Sequence, residues 1–254
     1  MLGAIIGDIV GSRFEFRNTD KYDFGPLFTK DCDFTDDTIC TVAIAEAAID
    51  YQTFDYKAHL LKWCRRYPNP MGSYGASFSA WIRSADPQPY NSFGNGAAMR
   101  VSPVAWAWNK PCDVISAAIE TANVSHNHAE GIKGAVATAL AVYYLRTTKK
   151  REALDVVESM YYDVDARYQR GKFDETCQGT VPVALRIVRD STSFEDAIRL
   201  AMNWGGDSDT LGAIVGSMAE ALYGIPDKIK NNAMSYLPNE MKDVVKTFYK
   251  MYVR

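Results

Sequence analysis

The sequence is short of the residues from which soft-metal and redox sites are built. It has three histidines and five cysteines in 254 residues. The cysteines (Cys32, Cys40, Cys64, Cys112, Cys177) are odd in number and scattered, with no CxxC or other zinc spacing. That pattern argues against a disulfide framework and for a reduced, cytoplasmic setting. A basic excess is also missing. Lys and Arg number 28 against 31 Asp and Glu, for a net charge of −3, so general nucleic-acid binding through phosphate neutralisation is not expected. No apolar run reaches the ~18 residues of a membrane helix. The opening MLGAIIGDIVGSRFE has no basic segment and meets Asp8 too early for a signal peptide. Alternating runs around an Asn-Gly hairpin turn are absent too: Asn95-Gly96 is the one candidate, and its flanks do not alternate.

What remains is helical. Tyr56, Leu60, Trp63, Cys64 and Tyr67 follow the helical period, as do Phe194, Ala197, Ile198 and Ala201, and again Met241, Val244, Val245, Phe248 and Met251. Ser193 with Asp196 reads as a variant capping box, and Gly224 before Pro226 as a helix stop. At 47% hydrophobic and 23% charged residues, the chain has an ordinary globular composition. Residues 17–36 and 84–96 are loop-like, but neither resembles an interdomain linker. We therefore expect an all-α, single-domain orthogonal helical bundle over residues 1–254, with about a dozen helices. LGAII-G at 2–7 is echoed by LGAIV-G at 211–216. Gly3, Gly7 and Gly11 fall four apart, as do Gly212 and Gly216. Each glycine within a helix costs ~1 kcal/mol against alanine, so such a stripe implies close approach, more simply of another helix than of a ligand.

Two acidic clusters carry the strongest chemical signal. Thr35-Asp36-Asp37-Thr38 and Gly205-Gly206-Asp207-Ser208-Asp209-Thr210 each precede an apolar helical stretch. One such cluster would be explained as a helix cap. Two of them, each with two carboxylates beside hydroxyls, exceed what capping needs. Four carboxylates brought together repel unless cations lie between them. Ligands that are all hard oxygens favour Mg²⁺, Mn²⁺ or Ca²⁺ over Zn²⁺, and such a set could hold two ions ~4 Å apart. Glu15, seven residues beyond Asp8, would lie in the following polar loop, where it is either a solvated charge or a general base or ligand. Gly94, Asn95 and Gly96 form either a plain turn or a phosphate-cradling loop. Ser125-His126-Asn127-His128 offers either a metal-binding HxH or a hydrogen-bonding, stacking histidine.

Taken in order, GDIVGSRFE (7–15), TDDT (35–38), GNGAAMRVSP (94–103), SHNHAEGIKGA (125–135) and GGDSDTLGAIVG (205–216) resemble the ADP-ribosylglycohydrolase family along nearly the whole chain. The resemblance implies an all-α fold around a central cleft with a binuclear Mg²⁺ or Mn²⁺ centre. It also implies hydrolysis of the C1″ glycosidic bond between ADP-ribose and an acceptor. By match to the motifs, Thr35, Asp36, Asp37, Asp207, Asp209 and Thr210 would be the metal ligands. Glu15, Asp36 and Asp209 would carry catalysis, with Glu15 or a metal-bound aspartate taking the proton from water. Gly94, Asn95, Gly96 and Met99 would line the diphosphate and distal-ribose side, and His126 would touch the substrate. Ser125 stands where the family has Thr, and His128 has no counterpart. Phe14, Tyr90 and Phe93 are candidates to stack on adenine. The acceptor is not legible: arginine, serine, nucleic-acid bases and O-acetyl-ADP-ribose all present the same ADP-ribose. A non-catalytic ADP-ribose-binding module and a crystallin-like structural protein on the same scaffold are the competing readings. Intact acidic clusters count against both. A phosphohydrolase on another all-α scaffold would show an ExxE helical motif, which is not evident.

Overall fold

The glycine echo proves to be the axis of the molecule. The computed structural model describes residues 1–50 and 52–253. In chain order its helices are α1 (Leu2–Gly11), α2 (Asp36–Ile49), α3 (Tyr56–Arg66), α4 (Ala76–Arg83), α5 (Gly96–Met99), α6 (Ser102–Ala107) and α7 (Pro111–Asn123). They continue as α8 (Ala129–Thr148), α9 (Leu154–Tyr161), α10 (Cys177–Asp190), α11 (Phe194–Trp204), α12 (Ser208–Tyr223), α13 (Asp227–Tyr236) and α14 (Asn239–Tyr252). Among the described residues β pairing is confined to two isolated bridges, Thr35 with Met71 and Gly94 with Thr176. The all-α expectation holds.

α1 and α12 pack antiparallel along their glycine stripes. A Cβ built on Gly3 would overlap the Gly216 carbonyl, one on Gly7 the Gly212 carbonyl, and one on Gly11 the backbone of Ser208 and Asp209. Two helices crossing backbone to backbone have no room for side chains between them, so the stripe is a packing device, not a ligand surface. All ten residues of α1 are buried, as is α12 from Ser208 to Ala221. With α2, α8 and α10 they form one apolar core. At the far end of the pair, Glu220 accepts from the Gly3 amide at 2.8 Å, from the Met1 amine at 2.6 Å and from the Tyr249 hydroxyl.

The antiparallel crossing places the C-terminus of α1 beside the N-terminus of α12, and there the acidic residues gather. The other punctuation read from the sequence is present. Ser193 accepts from the Asp196 amide at 3.1 Å, although the Asp196 carboxylate returns to Thr192, not Ser193. Gly224 ends α12 at φ +75°. No helix among the described residues is long and apolar enough to cross a membrane, and all five cysteines are free.

Candidate active site

Seven segments distant in sequence converge on one cleft of about 350 Å³. Every site residue expected from the sequence lines it except Thr35: Glu15, Asp36, Asp37, Asp207, Asp209 and Thr210 on one side, and Gly94, Asn95, Gly96, Met99 and His126 on the other.

The acidic side is built from helix ends. Thr35 is the N-cap of α2, its hydroxyl accepting from the Asp37 amide at 3.3 Å. That hydroxyl donates to Asp8 at 2.8 Å, and Asp8 also accepts from the amides of Thr35 and Thr38, each at 3.0 Å. Thr35 Oγ1 thus donates to Asp8 and accepts from Asp37, which leaves it one lone pair, and its hydroxyl also lies close enough to Asp209 to lower that carboxyl. Asp207 precedes α12 without capping it. It accepts instead from Asn95 Nδ2 at 2.7 Å, and Asn95 Nδ2 also reaches Thr180 Oγ1 at 3.1 Å. Asp37 Oδ2 accepts from the Thr210 hydroxyl at 3.1 Å, while its buried Oδ1 has no partner among the described residues. Glu15 follows a single 3₁₀ turn, Ser12–Phe14, as α1 runs out. Its carboxylate lies against Gly72, where φ is +77° and a Cβ would come 2.5 Å from Oε2. Asn18 ties this segment to the second acidic cluster: its side chain donates to the carbonyls of Phe14 at 2.7 Å and Gly206 at 2.9 Å, and accepts from the Gly206 amide at 2.6 Å.

The electrostatics follow from the crowding. Burial is the largest cause pushing up the carboxyls of Asp8, Glu15, Asp37 and Asp207, and repulsion from Asp209 is the next. Asp8 is raised to about 7 and Glu15 to about 8. Asp36 is raised by burial, then by Cys40 and Asp209, and Asp209 itself is raised by burial. Among the described residues no three His, Cys, Asp or Glu side chains form a metal-holding group by themselves. A hard cation nevertheless suits this donor set, because Mg²⁺ retains several waters and needs only one or two carboxylates from the protein. The unpartnered Asp37 oxygen and the mutual carboxylate repulsion are what such a cation relieves.

The opposite side is richer in donors. Asn95 is right-handed, at φ −67° and ψ −10°, so Asn95-Gly96 opens the short helix α5 and makes no left-handed turn. The Asn95 amide donates to Glu175 O at 2.7 Å, which fastens residues 92–96 to residues 174–177. A Cβ on Gly96 would lie 3.0 Å from His126 Nε2. His126 is buried beside Tyr90 and Phe78, with ring centroids 5.7 and 6.3 Å away. Burial, then the charge of Arg100, hold its pKa well below the usual imidazole range. His128 instead caps α8, accepting from the Glu130 amide at 3.1 Å. Of the three stacking candidates only Tyr90 lines the cleft; Phe14 packs on Phe24, and Phe93 on His128.

Sequence reasoning missed several lining residues: Ser73, the Gly75–Phe78 start of α4, Ser92, Phe173 and Glu175. No side chain caps α4, and a glycine followed by small residues ahead of a short helix was a signal that could have been read. Phe173 and Glu175 carried no local signal. At the mouth Phe173, 42% exposed, stacks on Phe16, 73% exposed, with ring centroids 6.0 Å apart.

Comparisons with known proteins give the family and the fold. The chain matches the ADP-ribosylglycohydrolase family over residues 1–251. It is 27% identical to "ADP-ribosylarginine hydrolase Tri1" of Pseudomonas putida (strain GB-1), over 89% of this chain and 70% of that protein. It is 26% identical to "ADP-ribosyl-[dinitrogen reductase] glycohydrolase" of Rhodospirillum rubrum, over 89% and 85%. A solved "ADP-ribosylglycohydrolase-related protein complex" superposes with a TM-score of 0.74 at 24% identity, covering 98% of this chain and 95% of that one.

Proposed function

We propose that this chain, which belongs to the ADP-ribosylglycohydrolase family, is a Mg²⁺- or Mn²⁺-dependent hydrolase that cleaves the C1″ glycosidic bond of ADP-ribosylated substrates. The observation that carries the reading is the cleft's division into a carboxylate wall and a donor wall, assembled from residues up to about 200 positions apart in sequence. Thr35, Asp36, Asp37, Asp207, Asp209 and Thr210 would hold the ions. Two such ions would neutralise the carboxylates and act as Lewis acids toward hydroxyls and water.

The chain's own groups do the rest. Cleavage at C1″ builds oxocarbenium character, which surrounding carboxylates stabilise. Glu15 accepts the proton of the attacking water; a base whose pKa lies near the working pH is well matched to that task. Gly96 and the start of α4 line the cleft without a side-chain cap, so their backbone amides are the donors a diphosphate would use. Asn95 holds Asp207 at the junction of the two walls. Tyr90 is the aromatic surface available to adenine.

The mouth favours a cationic, planar acceptor. Glu15 and Glu175 lie close enough that the charge of Glu175 helps raise Glu15, and Phe16 with Phe173 offers exposed ring faces. A guanidinium stacks on such faces while its charge meets the carboxylates. The arginine linkage named for the Pseudomonas relative fits that chemistry. The test is release of free ADP-ribose from arginine-, serine- and base-linked ADP-ribose and from O-acetyl-ADP-ribose, with and without Mg²⁺ or Mn²⁺. We expect metal-dependent turnover, fastest on the arginine linkage. ADP-ribose binding without turnover of any substrate would favour the binding-module reading. Turnover fastest on another linkage would remove the role given to the mouth.

A further inference from the structure

Arg100 is the largest fully buried side chain among the described residues. Its Nη2 donates to Thr121 O and to Ser125 Oγ, each at 2.9 Å, and its guanidinium lies 5.7 Å from the Phe78 ring centroid. Its Nε has no partner among the described residues. Ser125 Oγ in turn lies 2.7 Å from His126 Nδ1. Burying a guanidinium is costly unless it is paired and hydrogen-bonded. What its hydrogen bonds do can be read from the donor inventory.

Arginine can only donate, so the Ser125 hydroxyl must accept from it. The hydroxyl is itself fully buried, and a buried hydroxyl also has to place its own hydrogen. The acceptor within reach is His126 Nδ1. With Nδ1 accepting, an imidazole bears its hydrogen on Nε2. Nε2 is the atom that faces Gly96 and Gly94 on the cleft wall, since a Cβ on those glycines would lie 3.0 and 3.5 Å from it.

We propose that Arg100 is a positioning residue which, acting through Ser125, fixes His126 in the tautomer that carries its hydrogen on Nε2, so that the donor wall presents a hydrogen-bond donor to a phosphate or ribose oxygen. His126 is then neither a general base nor a metal ligand, since both tasks need a lone pair on Nε2. The glycines on either side of Asn95 leave the ring face open to the ligand. The choice of ligand oxygen rests on the function proposed above; the tautomer does not.

The experiment is ¹⁵N-edited NMR of the imidazoles in the intact protein at neutral pH. With only three histidines, variants at His59 and His128 assign the signals. We expect His126 to show a protonated Nε2 and an unprotonated Nδ1. In Ser125→Ala the tautomers should mix, and ADP-ribose should bind about five- to tenfold more weakly, the worth of one hydrogen bond. KM should rise by the same factor with little change in kcat. Ser125→Thr restores the hydroxyl and should restore both tautomer and affinity. Arg100→Lys keeps the charge but ends one bond short of the Nη2 that donates to Ser125, and should shift the tautomer ratio toward that of Ser125→Ala. An Nδ1-protonated or doubly protonated His126 in the wild type would overturn the proposal. So would a Ser125→Ala protein that keeps the Nε2 tautomer. A wild type with the expected tautomer but no affinity for ADP-ribose would count against the proposed function and leave the relay standing.

Discussion

Asp8 holds Thr35 by both of its hydrogen-bonding groups, accepting the amide at 3.0 Å and the hydroxyl at 2.8 Å, and it reaches past it to the Thr38 amide. An α1 residue therefore caps α2 across the chain and fixes the direction in which Asp36 and Asp37 leave the helix. Asp8→Ala strands two buried amides and a hydroxyl, each worth ~1–3 kcal/mol when left unpaired. At this size ~2–4 °C is lost per kcal/mol, so we expect the melting temperature to fall by at least ~6 °C. The affinity for Mn²⁺, read by calorimetry, should weaken with it. A variant that melts with the wild type would remove Asp8 from this role.

Gly7→Ala tests the crossing that brings α1 to α12. On an isolated helix the change would stabilise by ~1 kcal/mol. Here the new methyl overlaps the Gly212 carbonyl, and overpacking of this kind costs ~1–3 kcal/mol. The sign of the change in melting temperature decides: a fall supports backbone contact, and a rise refutes it. The same displacement moves Asp8 and Asp209 apart, so the stabilisation conferred by metal should shrink as well.

The metal-free protein should lose stability as pH rises. Asp8 and Glu15 have native values pushed up to about 7 and about 8 from ordinary values of 3.8 and 4.5. Between those limits the folded chain binds more protons than the unfolded one, so unfolding becomes easier with increasing pH. The stabilisation is complete below about pH 4 and is lost through pH 7–8. Melting curves in EDTA should therefore fall from pH 5.5 to pH 8.5. Saturating Mg²⁺ or Mn²⁺ should flatten the slope, because bound cations favour the charged carboxylates. A pH-independent melt in EDTA would show that the carboxylates do not crowd as described.

Glu15→Gln retains size while removing the capacity to take a proton. We expect a folded protein with unimpaired ADP-ribose binding and at least ~100-fold slower turnover, the lower end for loss of a general base. Steady-state rates on the best substrate, with calorimetry on the same preparation, separate the two effects. Turnover within a few-fold of wild type would move the proton-accepting role to one of the aspartates.

Local pattern revealed the clusters but not everything they face. Asp36, Asp37, Asp207 and Asp209 were legible because hydroxyl–acid pairs stood at two helix starts, and Asn95 because glycines flanked it. The glycine stripes announced a close approach of helices, but not that α1 and α12 are the two that meet. A local motif could not show that a carboxylate 27 residues earlier accepts the hydrogen of the Thr35 hydroxyl. Phe173 and Glu175 stayed hidden because one long-range bridge, Gly94 with Thr176, brings their segment to the cleft. Gly72 and Ser73 come in the same way, beside the Thr35–Met71 bridge. Such pairings depend on the assembled core and leave no periodicity in the segments themselves.

The packing of α1 on α12 also has a bearing on how the protein is made. The two helices are separated by about 200 residues, which at translation rates of ~5–20 residues per second is a delay of roughly 10–40 s. Throughout that interval the apolar LGAIIGDIVG segment has left the ribosome without its partner. Loop closure over so long a span is slow as well. Nascent chains stalled before residue 208 should therefore be the form that chaperones capture and that aggregates when they are scarce, while chains released after α12 should be able to close around the waiting helix.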